Sequence, residues 1–272
     1  NTHFTGQERG GPGASAYRAL LLLPFDEAQI RRYLAAALPE ADPDRLFETV
    51  RAVHNLEELA RRPYTLKLVA EFVQDIEAER AQGQTVRGVT LYRRTALRWL
   101  ERDQGKHHIV KEHKLRLVAH LAAEMAREGQ ALLPAVRLEG WFHRWLAEQD
   151  DLRHRYSELH RDQLEEDLRT ATFLKRVDGA GEADSGFRFA HASLYEFFLA
   201  SFLLEAIRED RPERWALPLP SVETLDFLGQ LLDEAGMHAQ PLLATLQRWR
   251  REYRPQASEL LLAYALRTHG QS

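Results

Sequence analysis

Residues 187–200, FRFAHASLYEFFLA, constrain the fold most, because the spacing of their apolar side chains changes within the stretch. Phe187 and Phe189 alternate with a charged and a small residue, the period of two that is typical of a half-buried strand. From Leu194 onward, large apolar side chains recur at the spacing of a helix. The sequence therefore predicts a strand that passes almost directly into a buried helix.

A histidine lies where the period changes. Ser193 and Glu196 have the spacing of a capping box, which predicts a helix that begins at Ser193. His191 would then precede backbone N–H groups that have no helical partner, a position that suits an anionic group such as phosphate. A histidine that caps its own turn, or bonds a carbonyl in the core, fits the same spacing. Spacing alone favours this simpler interpretation.

Composition is that of an ordinary soluble globular protein. The 272 residues suffice for one large or two small domains, and 44% of them are hydrophobic and 29% charged. The net charge of −4 gives no overall electrostatic footprint for nucleic acid. The chain has no cysteine, which excludes disulfides and suits the cytoplasm. The apolar run 20–23 is too short to span a bilayer and no signal peptide precedes it, so we expect a cytoplasmic protein.

Most of the chain shows helical periodicity. Asp26 and Gln29 form a capping box, prolines at 43 and 63 occupy first helical positions, and Thr90 is placed to cap a helix. Helices are predicted over 26–38, 43–53, 63–76, 91–102, 115–125, 141–146, 159–171, 193–211, 221–232, 241–250 and 256–266. Strands 173–177 and 186–190 flank an acidic, glycine-containing loop at 178–185, which is too long for a tight turn and which we expect to be mobile.

The predicted fold class is mainly α. A helical domain is followed by a winged helix with one β-hairpin as the wing, and then by further helices. No period in the sequence indicates a solenoid.

Three patterns imitate chemical sites without fitting them. The glycine-rich residues 5–15 do not match a phosphate-binding loop, since no lysine follows a suitably spaced glycine pair. Asp26 and Glu27 follow an apolar run as magnesium ligands would, but Asp26 is explained as a helix cap. Histidines occur at 107, 108 and 113, but no cysteine or suitably spaced carboxylate completes a set of zinc ligands with them. We therefore predict no metal.

Residues 87–116 contain nine lysines and arginines against three acidic residues, and they permit three interpretations. A solvated helix face is the usual one, and a surface for a partner or a neighbouring subunit comes second. A nucleic-acid surface is third, because the total charge is negative.

The motif F-x-F-x-H-x-S-x-x-E-F-F-x-A at 187–200 resembles the signature near the end of the winged-helix domain in NACHT-type NTPases. These are signalling ATPases of the STAND class, which includes animal inflammasome receptors and bacterial defence proteins. The resemblance implies that His191 contacts the β-phosphate of bound ADP and helps to hold the resting state.

A second block resembles the small helical domain of the same family. It consists of L-P-F-x-x-x-Q-I-x-x-Y-L at 23–34 and N-L-x-E-L-A-x-R-P at 55–63. The resemblance implies that Pro63 packs on the adenine of the nucleotide. Arg61 departs from the pattern, since related motifs often have glycine there. A proline that simply starts a helix is the alternative.

The resemblance also implies a domain organisation. Residues 1–24 would be the end of a nucleotide-binding core, 25–88 the small helical domain, 89–208 the winged helix and 209–272 the start of a second helical domain. The chain would then be the regulatory portion of a NACHT ATPase, sensing ADP and ATP, with magnesium in the intact protein.

Partners follow from the same resemblance. They would be the protein's own P-loop domain, further copies on activation, and unidentified sensor or effector domains, with no membrane. Without a P-loop we expect no ATP hydrolysis, no catalytic residue and no tightly bound cofactor in this chain alone.

Two other classes of function stay open, a winged-helix DNA-binding regulator and a passive helical adaptor. Nucleic acid is not expected, because residues 156–169 contain five acidic residues against two arginines.

Overall fold

The computed structural model describes residues 23–52, 57, 60–61, 63–82, 88–102, 108–170, 174–178, 185–237 and 239–252. Several sequence predictions lie outside these residues: most of the apolar run 20–23, the interior of the loop 178–185, and the helix 256–266. No helix in the described ranges has both the length and the apolar content to cross a bilayer.

The described residues are mainly helical, as the sequence predicts. The helices are α1 (Glu27–Ala37), α2 (Pro43–Ala52), α3 (Pro63–Ala81), α4 (Gly88–Arg102), α5 (Lys111–Glu128), α6 (Ala135–Ala147), α7 (Asp150–Tyr156), α8 (Arg161–Thr170), α9 (Ala192–Arg208), α10 (Val222–Glu234) and α11 (Ala239–Glu252). A short 3₁₀ helix spans Pro212–Trp215, and the strands are β1 (Leu133–Pro134), β2 (Leu174–Val177) and β3 (Gly186–Phe189).

The chain divides into two compact units, and the division falls after Gln74 within α3. In the first unit the predicted cap of α1 is confirmed. Asp26 Oδ1 accepts from the Gln29 N–H at 2.7 Å, and Gln29 Oε1 accepts from the Asp26 N–H at 2.9 Å. The acidic pair at this point is therefore a helix cap. Helices α1 and α2 pack together through fully buried side chains, which are Ile30, Leu34, Leu46, Phe47 and Val50.

The second unit is built around α9. This helix packs mainly against α10 and α5, and its apolar side chains are buried on several faces, as expected of a helix that lies in a core. Its buried aromatic side chains are Phe197, Phe198 and Phe202. Tyr92 of α4 packs on Phe197 with ring centroids 5.7 Å apart, and its ring meets Phe227 of α10 edge-on at 4.9 Å.

The predicted hairpin is present, but it belongs to a three-stranded antiparallel sheet. Strands β2 and β3 pair with Leu174 opposite Phe189, and β1 adds to the other edge of β3, giving the order β1-β3-β2. The sequence prediction missed β1, because two residues are too few to show alternation. Glycine is required at position 186, where β1 comes close to the backbone of β3. A Cβ there would lie 2.1 Å from the carbonyl oxygen of Leu133.

Several helix boundaries differ from the prediction, and α5 and α6 begin at Lys111 and Ala135 instead of 115 and 141. Helix α4 begins at Gly88, so Thr90 lies inside it, and its hydroxyl donates to Glu234 of α10 instead of capping a helix end. The stretch around 150–171 forms α7 and α8 separated by a turn, and the separate helix α7 was not predicted.

The basic stretch forms ion pairs with acidic residues of other helices. Arg93 Nη2 lies 2.8 Å from Glu234, and Arg116 Nε lies 3.0 Å from Glu205. Lys111 pairs with Glu101 at 3.0 Å, and this hydrogen bond raises the pKa of the lysine. These described cations therefore connect helices and are not arranged as an open positive patch.

Candidate functional site

His191 lies between β3 and α9, as predicted, and it is the N-cap residue of α9. Its backbone is extended, with φ −148° and ψ 146°, and its side chain is 7% exposed. The ring Nδ1 accepts from the Ser193 N–H at 3.2 Å and lies 2.6 Å from the Ser193 hydroxyl oxygen. Since a backbone N–H can only donate, Nδ1 is the acceptor nitrogen, and the ring proton belongs on Nε2.

The predicted capping box of Ser193 and Glu196 is wrong. Helix α9 begins at Ala192, so Ser193 is its second residue, and the imidazole of His191 caps the helix instead. Histidine is outside the usual set of capping residues, whereas serine is a common cap, so the sequence pattern indicated the wrong residue.

The predicted unpaired N–H groups at this helix end are mostly paired. Ser193 donates to the imidazole, while the N–H groups of Leu194 and Tyr195 point at the His191 carbonyl oxygen at 3.2 and 3.4 Å. The simpler interpretation, a histidine that caps its own turn, is therefore confirmed. Capping holds the ring in one orientation, with Nδ1 toward the Ser193 amide.

A cavity of about 470 Å³ lies beside this cap, within the second unit. It is lined by the end of α5 and the following turn, by residues at the junction of β3 with α9, and by the connector before α10. Its walls are largely apolar, with Met125, Phe189 and Leu199 among them, and His191 and Arg188 supply polar groups. An apolar cavity with a few convergent polar groups is the usual form of a small-ligand site.

Arg188 gives one wall of the cavity a positive charge. It is exposed on β3 and lies directly opposite Lys175 of β2, so two cations face each other across the hairpin. Like charges in such a pair repel, which favours an anion near them. Within the described ranges Arg188 forms no ion pair. The sequence does contain a signal for Arg188. The period-two pattern of 187–190 predicts that its side chain points away from the phenylalanines.

Tyr195 contributes a further hydrogen-bonding group to the cavity. Its ring packs edge-on against Phe189 at 5.6 Å, and burial raises the pKa of its phenol, with the nearby Glu196 carboxylate adding to the shift. The phenol therefore stays protonated at neutral pH and can donate. The sequence analysis missed Tyr195, although it follows His191 by one helical turn.

Pro63 is the first residue of α3, so it does start a helix. Its side chain lies outside the described residues, and Pro63 and His191 belong to different units. The packing of Pro63 on an adenine ring stays a prediction.

Two of the three histidines considered for zinc are described. His113 Nδ1 lies 2.8 Å from the Tyr156 hydroxyl, and His108 Nε2 lies 3.8 Å from Glu166. In the part of the chain that the structure describes, no three histidine, aspartate or glutamate side chains converge as metal ligands.

Helix α8, which follows the turn after α7, carries an acidic surface. Asp162 and Glu166 are exposed, while Glu165 pairs with Arg176 of β2 and Asp167 is buried.

No protein-family model matches the chain, and no curated protein matches it.

Proposed function

We propose that this chain is the regulatory portion of a NACHT-type STAND ATPase, a nucleotide-dependent switch that controls oligomerisation in signalling or defence. In this proposal His191 donates from Nε2 to a phosphate of ADP in the resting state. Arg188 supplies a positive group at the same cavity. The nucleotide-binding core with its P-loop and magnesium would supply the chemistry of ATP hydrolysis.

The observation that carries the proposal is the position of the His191 ring. The family-like motif at 187–200 becomes a strand, a histidine and a helix, and the Ser193 N–H holds the ring by Nδ1. An imidazole held in a fixed orientation at the edge of a cavity suits recognition of a phosphate oxygen. The cavity of about 470 Å³ beside it provides room for an anionic group.

The order of elements supports the winged-helix part of the proposal. Helix α5, strand β1, helices α6 to α8 and the hairpin β2–β3 follow one another, with β1 completing the sheet beside β3. Helices followed by an antiparallel hairpin are the plan of a winged helix, with β2–β3 as the wing.

The switch would have two states whose balance depends on the nucleotide. With ADP bound, the contact at His191 would hold the winged helix against the nucleotide-binding core and cover the oligomerisation surface. Exchange for ATP would remove that contact and release the winged helix. Pro63 would pack on the adenine in the small helical domain.

Charge argues against the DNA-binding alternative. A recognition helix needs cations toward the phosphate backbone, and α8 presents Asp162 and Glu166 to solvent. The passive adaptor remains the competing class, and nucleotide binding separates it from the switch.

The test uses two substitutions of His191 in the protein that joins this chain to its nucleotide-binding core. His191→Asn retains a good N-cap residue but removes the Nε2–H donor, whereas His191→Ala removes both. A charge-assisted hydrogen bond contributes about 1.5–3 kcal/mol, so both variants should bind ADP about 10- to 100-fold more weakly. Only the alanine variant should also lose thermal stability.

The matched control is His143→Asn, which changes an exposed histidine on α6. ADP retained after purification and the melting temperature are measured for all three variants. Full retention of ADP by His191→Asn would reject the phosphate contact and leave His191 as a helix cap alone.

A further inference from the structure

The C-terminal end of α9 contains an aspartate in a backbone conformation that usually requires glycine. The Asp210 N–H donates to the Ile207 carbonyl at 3.2 Å, and the Arg211 N–H donates to the Ala206 carbonyl at 2.8 Å. These two bonds form a Schellman motif with Asp210 at its left-handed position, φ 54°. In the described ranges the other residues with positive φ are both glycines, Gly129 and Gly236.

The carboxylate of Asp210 explains why this position holds aspartate. It accepts from Arg248 Nη1 at 2.9 Å and Nη2 at 2.6 Å, and from the indole N–H of Trp249 at 2.8 Å. Arg248 and Trp249 both belong to α11, so one side chain at the end of α9 binds α11 through three hydrogen bonds. The two bonds from Arg248 form the bidentate arrangement that fixes orientation as well as distance.

The ring of Trp249 continues the contact into the protein. Trp249 is 1% exposed and meets the fully buried Trp215 edge-on, with ring centroids 5.8 Å apart. Trp215 in turn donates from its indole N–H to the Leu203 carbonyl of α9 at 3.2 Å. The carboxylate thus determines the direction in which the Trp249 ring enters its apolar environment.

We infer that Asp210 is a latch that docks α11 on the C-terminal end of α9 and sets how readily α11 detaches. A glycine would form the same turn at a lower conformational cost, and it would lose the carboxylate that binds Arg248 and Trp249. The turn and the docking of α11 are therefore separable functions of one residue. This inference concerns α11 alone and is independent of the proposed nucleotide site.

The experiment is hydrogen exchange, read by mass spectrometry, on the full chain with Asp210→Gly and Asp210→Asn. Glycine suits the left-handed turn, so the melting temperature of Asp210→Gly should stay level or rise, while amides of α11 should exchange about three- to tenfold faster. Asparagine tolerates the same backbone but lacks the charge, so its effect on α11 should be intermediate. Amides of α5 and the centre of α9 should keep their protection in both variants.

The matched pair Arg248→Ala and Arg251→Ala completes the test, because both change an exposed arginine of α11 but only Arg248 contacts Asp210. Arg248→Ala should loosen α11 and Arg251→Ala should not. Unchanged exchange of α11 in Asp210→Gly would overturn the latch and make Asp210 a turn residue only. If Asp210→Gly lowered protection throughout the chain, the comparison of Arg248→Ala with Arg251→Ala would decide. Equal effects of these two variants on the exchange of the α11 amides would then reject the inference.

Discussion

Lys114 lies completely buried beside Asp167, with its Nζ 3.2 Å from Oδ2 of the carboxylate. Asp167 also accepts from the backbone N–H groups of His108 and Ile109 at 2.8 and 2.9 Å, and the ammonium reaches the Asp167 carbonyl at 3.2 Å. This pair joins α5, α8 and the segment before α5. A buried ion pair with its hydrogen bonds satisfied holds one arrangement, because removal of either partner leaves a charge away from water.

The pair predicts unequal effects of removing its two members. Lys114→Met leaves Asp167 with two N–H donors, whereas Asp167→Ala leaves a buried ammonium and two backbone N–H groups without their carboxylate. We expect both variants to lose about 3–5 kcal/mol of unfolding free energy, with the larger loss for Asp167→Ala. Urea unfolding at neutral pH measures both, and a larger loss for Lys114→Met would contradict this account.

Gly186 should tolerate no side chain. A Cβ would lie 2.1 Å from the Leu133 carbonyl oxygen, so Gly186→Ala must separate β1 from β3, and we expect a loss of more than about 2 kcal/mol. Gly140→Ala is the matched control, because its Cβ would meet nothing closer than 3.7 Å within helix α6. The control should gain about 0.5–1 kcal/mol from helix propensity. Equal effects in thermal unfolding would refute the close-approach argument.

His120 predicts a loss of stability in mild acid. It is 6% exposed, between the rings of Trp145 and Phe202, and burial lowers the pKa of its imidazole. Glu205, 3.6 Å away, raises that pKa, while Arg116 and Arg214 lower it. The unfolded chain, with the ordinary pKa of 6.5, binds the proton more readily, so the folded state loses stability as the pH falls through and below 6.5.

The unfolding free energy is measured at about pH 7.5 and at about pH 5.5. Both pH values lie above the ordinary pKa range of carboxylates. The wild type should lose more stability across this window than His120→Gln, because glutamine keeps a neutral polar group and takes up no proton. Burial also lowers the pKa of His113, so His113→Gln serves as the comparison. An identical pH dependence in the wild type and His120→Gln would show that His120 is not responsible.

Arg188 should separate ligand binding from stability. Arg188→Gln removes a cation from the cavity wall and also removes the like-charged pair with Lys175. If the proposed phosphate contact is correct, ADP binding should weaken by about 3- to 30-fold, while the melting temperature stays level or rises slightly. Calorimetric titration of ADP into the protein that joins this chain to its nucleotide-binding core, alongside a thermal scan, gives both values. Unaltered ADP affinity would remove Arg188 from the proposed site.

Local rules predicted the elements that depend on neighbouring residues. The capping box of Asp26 and the start of α10 after Ser221, whose hydroxyl accepts from the Thr224 N–H at 3.2 Å, need only a few consecutive side chains. The hairpin β2–β3 follows from alternating apolar residues on both sides of a polar loop. Caps and periodicity are properties of short segments, so the sequence by itself determined the helical character of the chain and the starts of α1, α2, α3 and α10.

Tertiary structure decided what depends on distant residues. Thr90 fits the cap pattern, yet Glu234, far along the chain, takes its hydroxyl, and His191 instead of Ser193 caps α9. Strand β1 exists only because β3 pairs with it, and the burial of Lys114 depends on Asp167 of α8. The cavity beside His191 is formed by three separate segments. Local spacing predicts none of these contacts, because each is stabilised by packing between parts of the chain that come together only in the folded state.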